Sequence, residues 1–106
     1  MGSEPPDSAR SIAMEQLESF GLSSYASETF VTLVALGEGT AKEVSEASAV
    51  PRTRVYDAVE ELEECGLVDV EFSSPREFRP ISVETARRRF AEDSQRRIDR
   101  LTDALG

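Results

Sequence analysis

Arg52 and Arg54 open a stretch that reads as a helix, while Glu60, Glu61, Glu63 and Glu64 crowd its far end. A helix dipole favours the reverse, acids first and bases last, by roughly 0.3–1 kcal/mol per charge. A local rule broken this consistently points to a functional demand on the segment. The simplest such demand is a polyanion seated against the first turn, where Arg52, Thr53 and Tyr56 would meet it. Arginine can pair two donors with guanine, threonine can touch a thymine methyl or a phosphate, and tyrosine can donate to a phosphate. The plainer reading is solvated surface, with Tyr56 half packed against a neighbouring helix. Arg54 lies on the other flank and could instead pair with Asp57 or Glu61. Double-stranded DNA is therefore the expected partner.

Such residues need a rigid element to present them. Pro51 suits the first position of a helix, because its missing N–H would have no partner there. At about 100° per residue, Val55, Ala58, Val59 and Leu62 fall within one arc, Thr53, Asp57 and Glu60 point away, and Arg52 and Tyr56 lie on one flank. Before it, Thr40 with Glu43 matches a capping box that opens a short helix to about Ala47, followed by the turn Ser48-Ala49-Val50. Two helices and a tight turn in this order make a helix-turn-helix, whose second helix enters a major groove. Lys42 and Ser45 on the first of the pair are candidate phosphate anchors, though an ordinary solvated face explains them about as well.

Two further helices precede the pair. Ala13, Leu17 and Phe20 recur at helical spacing from Ser11 to Phe20, with Gly21 as a stop. Ser23 suits an N-cap for a central helix from Tyr25 to Leu36, with Phe30, Leu33 and Val34 on one face and Gly37 ending it. Residues 1–10, with Gly2, Pro5, Pro6 and Ser8, read as a mobile tail.

After Gly66, a good C-cap, Val68, Val70 and Phe72 alternate with Asp69 and Glu71, the period of a half-buried strand. Ser73-Ser74-Pro75-Arg76 is a turn, and Glu77 to Ile81 would return as the second strand. That hairpin is a wing, with Arg76 at its tip and Arg79 on its return edge, placed to touch a minor groove or flanking phosphates. Glu77 between them weakens the electrostatic case. Ser82 can cap a last helix to about Leu105. Its arginines at 87–89 are largely explained by acid-before-base pairs, Glu84 with Arg88, Glu92 with Arg96 and Asp93 with Arg97. Its stripe of Ala86, Phe90, Ile98, Leu101 and Leu105 needs a cover, since an isolated helix of this length is marginal in water. A second copy of the chain is the expected cover, which would set two recognition helices about 34 Å apart on a palindromic site. The alternative is that the helix folds back on its own domain.

Composition bounds these readings. One compact domain with an appendage fits 106 residues at 39% hydrophobic content. No apolar run approaches the roughly 20 residues of a membrane span, and the N-terminus lacks the apolar block of a secretion signal, so a cytoplasmic protein is expected. One cysteine and no histidine leave metal, cofactor and hydrolytic chemistry remote, and no catalytic residue is expected. Cys65 reads as a small packed residue at a helix end whose acidic neighbours Glu63 and Glu64 raise its pKa. The net charge of -9 opposes DNA binding at first sight. The bases are uneven, however: residues 1–50 hold eight acids against Arg10 and Lys42, and residues 82–106 six arginines against five acids. One lysine among twelve bases, with this acid excess, resembles proteins of salt-loving archaea. At about 1 M salt the screening length is about 3 Å, so only contact-distance charges count.

The run from Leu17 to about Phe90, above all VPRTRVYDAV, resembles the winged-helix domain of TrmB-type archaeal transcription regulators. That resemblance implies a dimeric repressor or activator on a palindromic promoter element, often controlling sugar or central metabolism. It also places Arg52, Thr53 and Tyr56 where the groove is read. Larger members carry a C-terminal effector domain, and small-molecule sensing is not expected within this chain. The resulting expectation is a mainly α winged helix-turn-helix over residues 11–81, with a two-stranded β wing and a C-terminal dimerisation helix over residues 82–106. It would act as a sequence-specific DNA-binding regulator rather than an enzyme. The alternative is a winged-helix adaptor whose acidic surface docks a basic protein.

Overall fold

The computed structural model describes residues 6–106, so the first half of the expected tail, residues 1–5, lies outside the described residues. The elements run α1 (Pro6–Ser19), α2 (Ser24–Leu36), α3 (Ala41–Ala47), α4 (Arg52–Glu64), β1 (Val68–Glu71), β2 (Glu77–Pro80) and α5 (Val83–Leu105). Helix α1 begins at Pro6 rather than Ser11, so residues 6–10 are helix where a tail was expected. Pro6 as first helical residue was the missed signal. The physical cause is polar rather than apolar: Arg10 donates to Thr32 Oγ1 at 2.6 Å and reaches the Glu28 carboxylate at 3.4 Å. Glu28 in turn accepts the Ala49 N–H at 2.6 Å. One carboxylate thus ties α1 and α2 to the turn between α3 and α4.

Local chemistry sets most helix ends. Ser23 caps α2 by accepting from Ala26 N, and Gly37 ends it at φ 91°, a conformation costly for a side chain. The capping box at Thr40 and Glu43 forms in both directions. Pro51 stands at the N-cap of α4 rather than inside its first turn, with extended ψ and no capping side-chain bond. Gly66, at φ 72°, follows α4 and turns the chain into β1; a Cβ there would collide with the Arg89 guanidinium.

The core gathers one face from each element: Leu17 and Leu22, Ala26, Phe30 and Leu33, Val44 and Val50, Val55, Ala58, Val59 and Leu62, then Leu67, Val68 and Phe78. The arc read from α4 is buried throughout, and each fully buried leucine such as Leu62 contributes about 1.5–3 kcal/mol. Val34 is an exception to the expected face of α2, being 38% exposed. Strands β1 and β2 pair antiparallel with Val70 opposite Phe78 and Glu71 opposite Glu77. Gly39 adds a single bridge on the far side of β2, exchanging hydrogen bonds of 3.0 and 2.8 Å with Phe78. This is a winged helix-turn-helix, mainly helical, with a two-stranded wing.

Helix α5 divides in two. Ala86 is buried, and Phe90 stacks on Phe20 with ring centroids 4.6 Å apart. Arg97 then reaches the Phe20 carbonyl at 3.4 Å. Ala86 therefore packs within the chain's own domain, and the half-buried Phe90 leans on the aromatic face that Phe20 supplies past the end of α1. Beyond them Ile98, Leu101 and Leu105 are 54%, 59% and 78% exposed.

Candidate nucleic-acid interface

The first turn of α4 is open. Its preceding residue is a proline, which gives no side-chain cap, so early backbone N–H groups face outward with the positive end of the dipole. Arg52 and Thr53 are exposed there, and Arg52 makes no ion pair with a described residue. Arg54 lies 3.8 Å from Asp57, a loose pair between exposed side chains that water and phosphate can both enter. Tyr56 is 47% exposed, and its ring meets Phe78 edge-on at 6.3 Å. Its packing partner is thus a wing strand, where a helix was expected. One ring edge fixes the side chain and leaves the rest facing outward.

Helix α3 offers less. Lys42 is exposed, but Ser45 is half-buried and its hydroxyl donates to the Lys42 carbonyl at 2.9 Å, so its proton is already engaged. The wing's two arginines differ from each other. Arg76 has no carboxylate partner among the described residues and lies over the Phe72 ring, 5.0 Å from its centroid. Arg79 is held by Glu38 at 3.2 Å and by Glu71. Its Nε and one terminal nitrogen thus face carboxylates while the side chain stays half exposed, which lowers the net charge that this edge of the wing presents. Phe72 falls outside β1 and is 73% exposed, so the inward alternation seen at Val68 and Val70 stops before it, where the core ends.

Sequence reasoning missed why Glu61 sits late in α4. Its carboxylate accepts both the Ser23 N–H and the Ser23 hydroxyl, each at 2.8 Å, at the start of α2. One of the four acids that seemed misplaced on α4 therefore serves another helix's N-terminus, where the dipole welcomes it. Capping between helices distant in sequence leaves no local signal. In α5, Glu84 pairs with Arg87 rather than Arg88, and Asp93 holds Arg97 at 3.3 Å and Arg96 at 3.8 Å, displacing the expected Glu92 pair. Three-residue spacing is as close as four on a helix. Cys65 is exposed where a packed residue was expected. Its thiol pKa is nevertheless raised, first by partial burial of the sulfur and then by Glu61, Glu64 and Asp93.

A helix-turn-helix with an uncapped, cationic second helix and a hairpin beside it defines the class of winged-helix regulators. The comparisons narrow this. Residues 17–84 match the family described as sugar-specific transcriptional regulator TrmB, and the chain belongs to that family, one of transcription regulators rather than enzymes. It is 35% identical over 92 residues to the HTH-type sugar sensing transcriptional regulator TrmBL1 of Pyrococcus furiosus, covering 87% of this chain and 27% of that protein. It is 32% identical over 81 residues to the DNA-binding HTH-type transcriptional repressor TrmBL2 of Thermococcus kodakarensis, covering 76% of this chain and 31% of that one. The chain thus spans about a third or less of the curated relatives it matches. Among solved structures, TrmBL2, an archaeal chromatin protein with a novel mode of DNA binding, superimposes with a TM-score of 0.81 at 29% identity, covering 91% of this chain and 38% of that one. Bordetella bronchiseptica BpsR, at 15% identity and a TM-score of 0.54 over 98% of this chain and 81% of that one, shares the fold alone.

Proposed function

We propose that this chain binds double-stranded DNA through the first turn of α4, as a dimer on a palindromic promoter element, and so regulates transcription. The observation that carries the reading is Arg52: an exposed guanidinium at an uncapped helix start, with no ion pair to a described residue, beside exposed Thr53 and Tyr56. Arg52 would read a base edge, Tyr56 and Lys42 would hold phosphates, and Arg54 would join by exchanging its loose contact with Asp57. Relatives in the family that are described as DNA-binding support DNA as the partner.

Dimerisation rests on the exposed Ile98, Leu101 and Leu105 at the far half of α5. A copy covering this stripe would place the two α4 helices on half-sites about 34 Å apart. The acid excess with one lysine supports a cytoplasm of high salt as the working medium, where contact-distance arginines outweigh a net charge of -9. Fluorescence anisotropy in molar potassium chloride, with a duplex from the promoter upstream of its own coding sequence, tests the reading. Binding is expected, and Arg52→Ala should weaken it by about 1–3 kcal/mol. An unchanged affinity removes Arg52 from the interface. A sedimentation mass of one chain at the concentrations that bind DNA removes the dimer.

A further inference from the structure

The strand ladder ends at Glu71 and Glu77, with Val68 opposite Pro80 and Val70 opposite Phe78, and Phe72 and Arg76 flank the turn beyond it. Successive residues of a strand point to opposite faces. Val68 and Val70, with Phe78 and Pro80, therefore share the face turned toward the core and toward Tyr56 of α4. The other face carries Asp69, Glu71, Glu77 and the doubly held Arg79, with Glu38 alongside. Carboxylates dominate there: the Glu77 pKa is raised, chiefly by Glu38. A phosphate backbone would be repelled from that side. The wing thus presents one cation with no carboxylate partner among the described residues, Arg76 beside its turn, and that cation lies 5.0 Å above the centre of a phenyl ring that is itself 73% exposed.

A phenylalanine this exposed beside an arginine without a carboxylate is explained if the ring's work is done on the guanidinium. An aromatic face attracts a cation and restricts it, leaving its planar edge free to donate. Pre-setting an arginine in this way reduces what is lost when it enters a confined site. Narrow minor grooves, found in A-tracts, have enhanced negative potential and attract such arginines. We propose that Phe72 is a positioning residue for Arg76, and that together they give this chain a preference for A·T-rich DNA flanking the segment read by α4. This rests on the DNA-binding reading above and adds to it a sequence preference held outside the recognition helix.

The test uses two duplexes that share a central sequence from the chain's own promoter and differ only in the flanks, A-tract in one and mixed G·C in the other. Anisotropy titrations compare the unaltered chain with Phe72→Leu, Phe72→Tyr, Arg76→Ala and Arg52→Ala. The unaltered chain should prefer the A-tract duplex, by about threefold or more, as expected of an exposed cation–aromatic contact. Phe72→Leu and Arg76→Ala should both erase that preference, and Phe72→Tyr, which keeps the aromatic face, should restore it. Arg52→Ala should weaken both duplexes equally and leave the ratio intact. Thermal melting should be unchanged in Phe72→Leu. A preference that survives Phe72→Leu, or a chain with no flank preference, overturns the proposal while leaving the α4 reading standing. No binding to either duplex overturns both.

Discussion

Arginine stands both at the start of α4 and on the return strand of the wing, and the two settings differ in what surrounds the guanidinium. Arg52 has solvent and an uncapped helix end; Arg79 has Glu38 and Glu71. A cation between two carboxylates presents little outward field, so a phosphate gains less from meeting it. Counting arginines therefore overstates the charge available to DNA, and the acids nearby decide which ones count. The same comparison explains how a chain of net charge -9 can still present a local cationic ridge.

The sharpest way to break this comparison is to truncate both arginines and measure DNA binding in molar salt. Arg52→Ala should cost about 1–3 kcal/mol of affinity, whereas Arg79→Ala should cost less than about 1 kcal/mol in affinity or stability, as for other exposed ion pairs. Equal losses would place the wing's return edge against DNA after all. Next in size, Gly66→Ala should destabilise the fold by more than about 1 kcal/mol in urea titration, since an alanine resists positive φ. Its Cβ would also displace Arg89. Near-neutral stability would mean that the junction between α4 and the wing is more adaptable than its backbone implies.

Glu61→Ala should cost about 1 kcal/mol of stability through the lost bonds to Ser23 and leave DNA affinity unchanged. Higher affinity with unchanged melting would instead make Glu61 a mere repulsive charge. The smallest effect is at Cys65. Its thiol pKa is raised in the fold, so the folded state favours the protonated form. That contribution is fully present below the unfolded pKa and fades as pH rises through the folded one. Alkylation by iodoacetamide at mildly alkaline pH should accordingly be slower in the folded chain than after unfolding, and Glu61→Gln should speed it. Equal rates in both states would show that the neighbouring carboxylates do not reach the sulfur.

Much of the architecture was legible because it is encoded over three or four residues. Ser23, Thr40 with Glu43, and Ser82 each cap their own helix, and Gly37 and Gly66 supply backbone conformations that few other residues adopt. The arc of Val55, Ala58, Val59 and Leu62 faces the core because helical periodicity leaves it no other consistent placement. The candidate interface was legible for a related reason: charges set against a helix dipole are visible in the order of the letters. Its wing half was not, since nothing near Arg79 in sequence announces Glu38.

The amino-acid order alone thus determined that helices form at α2 to α5, which face of α4 is apolar, and that the first turn of α4 is cationic, because these depend on neighbours along the chain. Tertiary structure alone decided that Arg10 anchors α1 to α2, that Glu61 caps Ser23, that Phe90 stacks on Phe20, and that Arg79 is neutralised while Arg52 is not. Each of those depends on groups 18 to 70 positions apart, except the Arg79–Glu71 contact at eight, and packing brings them together. The free energy of such contacts depends on distance in space, which local sequence does not specify.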